Sequence, residues 1–150
     1  MSTLLAFLHH VAAFVLFAAL VVEFVTIKDA VTVRSAQRLL RADAVLGLAA
    51  VVVLAVGILR VVVFEKGLDY YLHSVPFLLK FTLFVLTALV SLYPTRRFMA
   101  WRPAIRKGEP PVVDAAVLRS IRTVIHVEMA GVVVILLLAA MMARGVAMFE

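Results

Sequence analysis

Cysteine is absent from the 150-residue sequence, and charged residues make up only 16% of it. The lack of cysteine excludes disulfide bridges, thiolate metal sites and cysteine nucleophiles. The scarcity of charge departs from the balance of a soluble globular domain, because 65% of the residues are hydrophobic and the mean hydropathy is +1.13. The sequence therefore predicts an integral membrane protein.

Motifs that mark several classes of soluble enzyme are also missing. The sequence contains no glycine-rich phosphate loop, no GxSxG elbow and no HExxH pair, which argues against phosphate-loop enzymes, serine hydrolases and zinc proteases. The string HVE at 126–128 is too short to predict a metal site. No known motif of this kind therefore identifies a reaction.

Four apolar stretches are long enough to cross a bilayer, since a hydrocarbon core of ~30 Å takes about 20 residues of helix. Short connections between successive spans favour antiparallel neighbours. The sequence thus predicts an all-α integral membrane protein, an up-down four-helix bundle that forms a single domain over residues 1–150. The first stretch lacks a basic region and a small-residue cleavage site, so we expect a retained span and not a secretory signal. The predicted spans are near 4–26, 44–64, 75–95 and 123–143.

Basic residues are distributed unevenly among the connections. Eleven of them fall between spans one and two or between spans three and four, against three on the opposite side. By the positive-inside rule, both basic connections are expected in the cytoplasm and both termini outside, which is an N-out/C-out orientation. The net charge of +6 is then explained by contact with anionic headgroups of the lipid bilayer, and nucleic acid is not an expected partner.

The two basic connections have different patterns. The stretch VRSAQRLLRAD places Arg34, Arg38 and Arg41 on one helical face, so span two is expected to extend into the cytoplasm as an amphipathic helix. In the longer connection, Tyr93 and Trp101 suit the headgroup layer, and four prolines are expected to break the helix. These prolines are Pro94, Pro103, Pro110 and Pro111.

Small residues are expected where helices approach each other closely, because a short side chain lets two backbones come together. We interpret their role as packing alone. They are Ala12, Ala13, Ala18 and Ala19 in span one, Gly47 and Gly57 in span two, and Gly131 in span four.

Polar residues in span one define one face of the helix. His9 and Glu23 are fourteen residues apart, so they share a stripe with Leu16 and lie about 21 Å apart along the axis. Because a charged group facing lipid costs at least ~2.5 kcal/mol, we expect this stripe to face the bundle. Glu23 is expected to meet a cationic or hydroxyl partner there.

An inner polar network is predicted around Glu23. In span four, Arg122 and His126 share one stripe, whereas Glu128 lies about 200° round from His126, so we place His126 at headgroup level with the arginines. Glu128 has two open interpretations, an ion pair with an arginine or a functional carboxylate. The network consists of Glu23, Arg38, Arg41, Arg122, His126 and Glu128.

A second polar set is predicted on the outer side. Lys80, near the start of span three, either snorkels to the interface or joins Arg60 in a cationic pocket beside His9 and His10. Imidazole ligands with cations for the propionates are what haem b requires in a helical bundle, and His73 is a candidate second axial ligand. The two adjacent histidines are thus candidate metal ligands, with an amphipathic interfacial anchor as the alternative.

Three stretches carry a resemblance to a known family. They are LHHVAAFVLFAALVVE, RLLRADAVLGLAAVVVLAVGILR and EKGLDYYLHSVPFLLKFTLFVLTALVSLYPTRRFMAWR. Together they resemble an uncharacterised family of four-helix bacterial membrane proteins, domain of unknown function 2214, over nearly the whole chain. The resemblance implies a multi-pass protein of the bacterial inner membrane and carries no established activity.

A more distant likeness is to the haem-dependent membrane protoporphyrinogen oxidases of bacteria. It implies a haem-b redox protein with a porphyrin ligand. That family's tryptophan in span one, its histidine at the position of Leu78 and its asparagine before the span-four glutamate are absent here. The positions that match are His9 or His10 in span one, Arg38 with Leu39 and Gly57 in span two, Lys80 in span three, and Arg122 with Glu128 in span four.

Three classes of function stay open at this point. They are a haem-binding redox protein, a small proton- or cation-linked transporter that uses Glu23 and Glu128, and an accessory membrane subunit with packing roles only. Four spans offer little room for alternating access unless the chain forms a homo-oligomer, and no span has a central proline. A visible absorption spectrum separates the first class from the other two.

Overall fold

The computed structural model describes residues 2–28, 31–64, 71 and 73–144, so the start of the third family-like stretch, residues 65–70, lies outside the described residues. The described residues form helices and no strand, as the predicted all-α class requires. The helices are α1 (Ser2–Thr26), α2 (Val33–Leu59) with a following π-helical turn (Arg60–Phe64), α3 (Val75–Ala100), α4 (Arg102–Arg106) and α5 (Ala115–Ala143).

Four of these helices are long and apolar enough to cross a membrane, which confirms the predicted number of spans. Two of them begin well before the predicted spans near 44 and 123. Helix α2 starts at Val33, and α5 starts at Ala115. With 29 residues and a rise of about 1.5 Å per residue, α5 is long enough to pass beyond the hydrocarbon core into the headgroups.

Capping residues explain these early starts. Thr32 and Ser35 form a capping box, in which Ser35 N donates to Thr32 Oγ1 at 3.1 Å and Thr32 N donates to Ser35 Oγ at 2.8 Å. Asp114 Oδ1 accepts a hydrogen bond of 2.7 Å from Ala116 N at the start of α5. Each cap satisfies an otherwise unpaired amide of the first turn. The predicted helical extension of span two over its arginines is confirmed.

Pro94 does not end the third helix, contrary to the sequence expectation. It is fully buried, and α3 continues through it to Ala100. A proline removes one backbone hydrogen bond, and packing against neighbouring helices compensates for that loss. The buried Phe98 and Trp101 rings, with centroids 5.1 Å apart, provide such packing just beyond it. Trp101 is thus a core residue. Its predicted position in the headgroup layer, with the ring directed outward, is wrong.

The helices pack as two pairs that join at a shared core. Helix α1 packs chiefly against α2, and α3 chiefly against α5, while contacts of α1 with α5 and of α2 with α3 connect the pairs. Large apolar side chains on the outer faces, such as Phe14 and Leu48, stay exposed, as in proteins that face lipid. The fully buried apolar side chains of the core include Leu20, Ile27, Leu39, Phe98, Ile121 and Ile125.

Two of the three predicted glycine contacts are confirmed. A Cβ atom on Gly57 would lie 3.3 Å from His9 Cε1, and one on Gly131 would lie 2.7 Å from Thr87 Oγ1. The prediction is wrong for Gly47, where a Cβ atom would meet nothing within 4 Å. Gly47 is exposed, because it lies on a part of the α2 surface that no described helix covers.

Candidate carboxylate site in the helical core

Glu23 lies in the interior of the bundle. Its side chain is 0% exposed, and Leu16 and Leu20 on the same side of α1 are also buried. The face of α1 predicted from His9, Leu16 and Glu23 is therefore the face that packs against the other helices. An intramembrane carboxylate in this position is costly to bury, so its surroundings decide what it can do.

Two further carboxylates share this region. Asp43 on α2 is 8% exposed and Glu128 on α5 is 2% exposed. Glu23 is close enough to both for electrostatic interaction, and Asp43 and Glu128 also interact with each other. We call Glu23, Asp43 and Glu128 the carboxylate cluster. It brings three like-charged groups from three helices into one buried region.

Helix α3 supplies hydroxyl groups to the carboxylate cluster. Ser91 hydrogen-bonds to Glu128. Thr95 Oγ1 lies 2.6 Å from Asp43 Oδ1 and 3.0 Å from the Ser91 carbonyl oxygen. Because a hydroxyl has a single proton to donate, Thr95 serves one of these two acceptors at a time. All four long helices thus contribute a polar side chain to the same site.

Several oxygens of the carboxylate cluster have no hydrogen-bond partner. Both oxygens of Glu23, and Oε2 of Glu128, are buried and unpaired. The expectation that Glu23 meets a cationic or hydroxyl partner is therefore wrong. The physical reason is that α1 turns Glu23 toward the other two carboxylates, while the α3 hydroxyls bond to those two. Buried unpaired polar atoms are rare in proteins, and they often mark a functional group.

Two arginines near the carboxylate cluster differ in their contacts. Arg122 Nε donates to the Ile27 carbonyl and its Nη2 to the Lys28 carbonyl, both at 2.9 Å, at the end of α1. Asp43 interacts electrostatically with Arg102, which is exposed at the start of α4. The structure therefore places Arg122 at a helix terminus and not in an ion pair with Glu128.

The remaining members of the predicted inner network lie on exposed surfaces. Arg38 and Arg41 are exposed along α2. His126 is exposed, with its ring 4.9 Å from that of Phe24 and its Nδ1 2.6 Å from the Arg122 carbonyl oxygen. Of the predicted network, the structure brings Glu23 and Glu128 together in the core and leaves the basic members outside it.

The predicted outer set is partly assembled. His9 is half-buried and interacts electrostatically with His10, Arg60 and Lys80. Its ring packs on Gly57, it hydrogen-bonds to the backbone of Val53, and its Nδ1 is buried without a partner.

His10 and His73 are both exposed. His10 Nδ1 lies 2.6 Å from the Ala6 carbonyl oxygen, and its ring centroid lies 6.2 Å from that of His9. His73 lies in the turn before α3. Among the described residues, no group of three or more His, Asp or Glu side chains is arranged to hold a metal ion.

Sequence reasoning missed Asp43, Ser91 and Thr95 as site residues. A usable signal exists for Asp43, because it falls on the helical stripe of Leu39 and Leu46, both buried. Ser91 and Thr95 are four residues apart in α3 and so share a face. Whether Ser91 and Thr95 lie at the same depth as Glu128 depends on how the helices pack. Periodicity within α3 alone therefore did not predict that they share a site with Glu128.

The family comparison agrees with the four long apolar helices. The model of the family described as "Predicted membrane protein (DUF2214)" matches residues 1–147. No curated protein gives a significant match. No solved structure gives one either. All of the described residues, including the carboxylate cluster, lie within the matched region.

Proposed function

The chain belongs to the DUF2214 family of predicted membrane proteins, and we propose that it is a proton-linked membrane protein whose working site is the carboxylate cluster. The observation that carries this proposal is the buried, unpaired carboxyl group of Glu23 beside two further carboxylates. An ionised carboxylate buried without a counter-charge is costly, and a bound proton removes that cost. Binding and release of protons by intramembrane carboxylates is a common basis of transport.

The hydroxyl groups of α3 provide a means of passing the proton on. Asp43 is the most exposed member of the carboxylate cluster, so it exchanges protons with the polar surface near Arg102. Thr95 donates to Asp43 when that carboxylate is ionised and turns to the Ser91 carbonyl when Asp43 takes up a proton. The proton then moves from Asp43 to Glu23 or Glu128. Because the three carboxylates interact electrostatically, protonation of one changes the proton affinity of the other two.

The membrane arrangement that goes with this proposal is an up-down bundle in a bacterial inner membrane, with both termini outside. The excess of basic residues in two of the connections supports it. The carboxylate cluster then lies toward the cytoplasmic side, and the set of His9, His10, Arg60 and Lys80 lies toward the outer side.

A flux measurement on reconstituted protein tests the proton-linked function. Vesicles carrying the purified protein and a pH-sensitive dye are given a membrane potential, and the rate of proton entry is recorded. We expect Glu23→Gln, which keeps the shape but cannot ionise, to reduce the rate by at least about tenfold, since the relay loses its central acceptor. Glu109→Gln, at an exposed carboxylate outside the helices, is the matched control and should keep the rate.

Two results would contradict the proton-linked proposal. One is an unchanged flux in both Glu23→Gln and Glu128→Gln, with the variants correctly inserted. The other is a flux that depends on sodium or potassium at constant pH, which assigns the cluster to a metal cation. Infrared difference spectra give a second readout, because the carbonyl stretch of a protonated carboxyl group should disappear in Glu23→Gln.

A second candidate function is haem-b binding at the outer set, supported by the electrostatic grouping of His9 with Arg60 and Lys80. The donor types suit a haem, with imidazole for iron and cations for propionates. The packing suits it less well, because the His9 ring lies against Gly57 and a porphyrin does not fit between these two residues. His10, exposed, offers the more accessible ring.

The visible spectrum of the protein expressed with added haem tests the second candidate. Haem binding requires a Soret band that one of the single variants His9→Ala or His10→Ala abolishes while the protein still inserts and folds. A protein without that band, or with wild-type spectra in both variants, excludes a haem held by these histidines.

A further inference from the structure

A groove runs along the protein surface between α1 and α2, and no member of the carboxylate cluster lines it. Its volume is ≈ 490 Å³, a size typical of sites for small molecules. No acidic residue lines it. The lining residues are Val15, Ala18, Ala19 and Val22 of α1 with Arg34, Gln37, Arg38, Arg41, Ala42 and Val45 of α2.

The lining divides into a basic part and an apolar part. Arg34, Arg38 and Arg41 come from the first turns of α2, recur on one helical face and are all exposed. The remaining walls are valine and alanine, and the short alanine side chains leave space between the two helices. From Arg34 to Val45 the groove extends about 16 Å along α2 by the helix rise. A ligand that fits both parts is itself amphipathic and anionic at one end.

We propose that this groove binds an anionic phospholipid, with its phosphate on the arginines and one acyl chain along the valine and alanine walls. Guanidinium groups suit phosphate because their donors form paired, charge-assisted hydrogen bonds with its oxygens. The bilayer presents such lipids at high local concentration, and basic clusters at the cytoplasmic ends of transmembrane helices recognise them. The proposal does not depend on the proton-linked function, because its residues are separate from the carboxylate cluster.

Lipid retention in native mass spectrometry tests the groove, using detergent-solubilised protein titrated with phosphatidylglycerol or phosphatidylcholine. We expect the wild-type protein to retain one phosphatidylglycerol in preference to phosphatidylcholine. The double variant Arg38→Gln/Arg41→Gln should weaken that retention by about tenfold or more, because charge-assisted hydrogen bonds are lost. The matched control is Arg96→Gln/Arg106→Gln, which removes the same charge from exposed positions outside the groove.

A steric variant tests the apolar part separately. Ala18→Phe fills the groove at an exposed position, so the helix should fold normally. The phenyl ring should exclude the acyl chain from the groove, and lipid retention should fall. Val25→Phe, also exposed but outside the lining, should retain the lipid as the wild-type protein does.

Three outcomes would overturn the lipid site. Equal losses in the two double variants would assign the effect to general surface charge. Unchanged retention in Ala18→Phe would exclude the groove as the position of the chain. Equal retention of phosphatidylcholine by the wild-type protein would exclude recognition of an anionic headgroup.

Discussion

Among the glycines of the described residues, Gly131 leaves the least space for a Cβ atom. It lies where α5 packs against α3. A Cβ atom there would lie 2.7 Å from Thr87 Oγ1, and that hydroxyl is held at 2.8 Å from the Leu83 carbonyl oxygen. Gly131→Ala should therefore destabilise the fold by about 1–3 kcal/mol, the usual cost of overpacking. Unfolding of the protein in mixed micelles with increasing dodecyl sulfate, followed by circular dichroism, measures the change.

Gly47 provides the matched control for this substitution. It lies in the interior of α2, where a Cβ atom would meet nothing within 4 Å. Gly47→Ala should leave stability unchanged or raise it by up to about 1 kcal/mol, because alanine favours the helix. The double variant Gly131→Ala/Thr87→Ala should recover much of the loss. Equal effects of the two single glycine substitutions would show that the α3–α5 contact is not the cause.

Glu23 shows how far single positions can be predicted from sequence. The spacing of His9, Leu16 and Glu23 placed the carboxylate on the packed face of α1, because helical periodicity and the cost of charge in lipid act within one helix. Glu128 was predicted in the same polar network as Glu23, but Asp43 was not. The grouping of the three carboxylates depends on the axial register between helices, which periodicity within each helix does not contain.

At the scale of a helix, the C-terminal end of α1 shows how one side chain connects two helices. Arg122 of α5 donates to the carbonyls of Ile27 and Lys28, in the turn that follows the end of α1 at Thr26, where carbonyls lack intrahelical partners. The positive guanidinium also opposes the negative end of the helix dipole. Arg122 thus fastens α1 to α5 at one end of the bundle.

Arg122→Gln should loosen this helix end. The loss of charge-assisted hydrogen bonds should cost about 1–3 kcal/mol of stability and increase hydrogen exchange in the last turn of α1. Arg119→Gln, one turn earlier and exposed on the same helix, is the control. If both variants exchange like the wild-type protein at that turn, Arg122 does not hold the end of α1.

The number of long apolar helices was predictable from hydropathy, whereas some of their ends were not. Length and apolar composition fix the part of a helix that crosses the bilayer. The start of α5 depends on a cap at Asp114, whose polar side chain adds nothing to hydropathy, whereas the early start of α2 was indicated by its helical face of arginines. The continuation of α3 through Pro94 depends on tertiary packing, which outweighs a local preference.

At the scale of the whole molecule, charge and packing divide the bundle into two dissimilar ends. The end near Glu23 contains most of the fully buried apolar side chains, including Leu39, Phe98 and Ile125. The other end contains His9, Gly57 and Lys80, and fewer of its described side chains are buried. The greater burial of side chains at the end beside the basic connections is consistent with a site that gains and loses protons from one side.

The orientation of these ends in the membrane is the last prediction. Because the chain contains no cysteine, single cysteines at positions 2, 74 and 120 report on accessibility without a background. The positive-inside rule places Ser2 and Ser74 outside and Ser120 in the cytoplasm. A membrane-impermeant maleimide added to intact spheroplasts should label Ser2→Cys and Ser74→Cys, and should label Ser120→Cys only after permeabilisation. Position 120 is exposed on α5, so permeabilised cells provide the control for its reactivity. Labelling of position 120 in intact spheroplasts would reverse the orientation, and the carboxylate cluster would then exchange protons with the outer side.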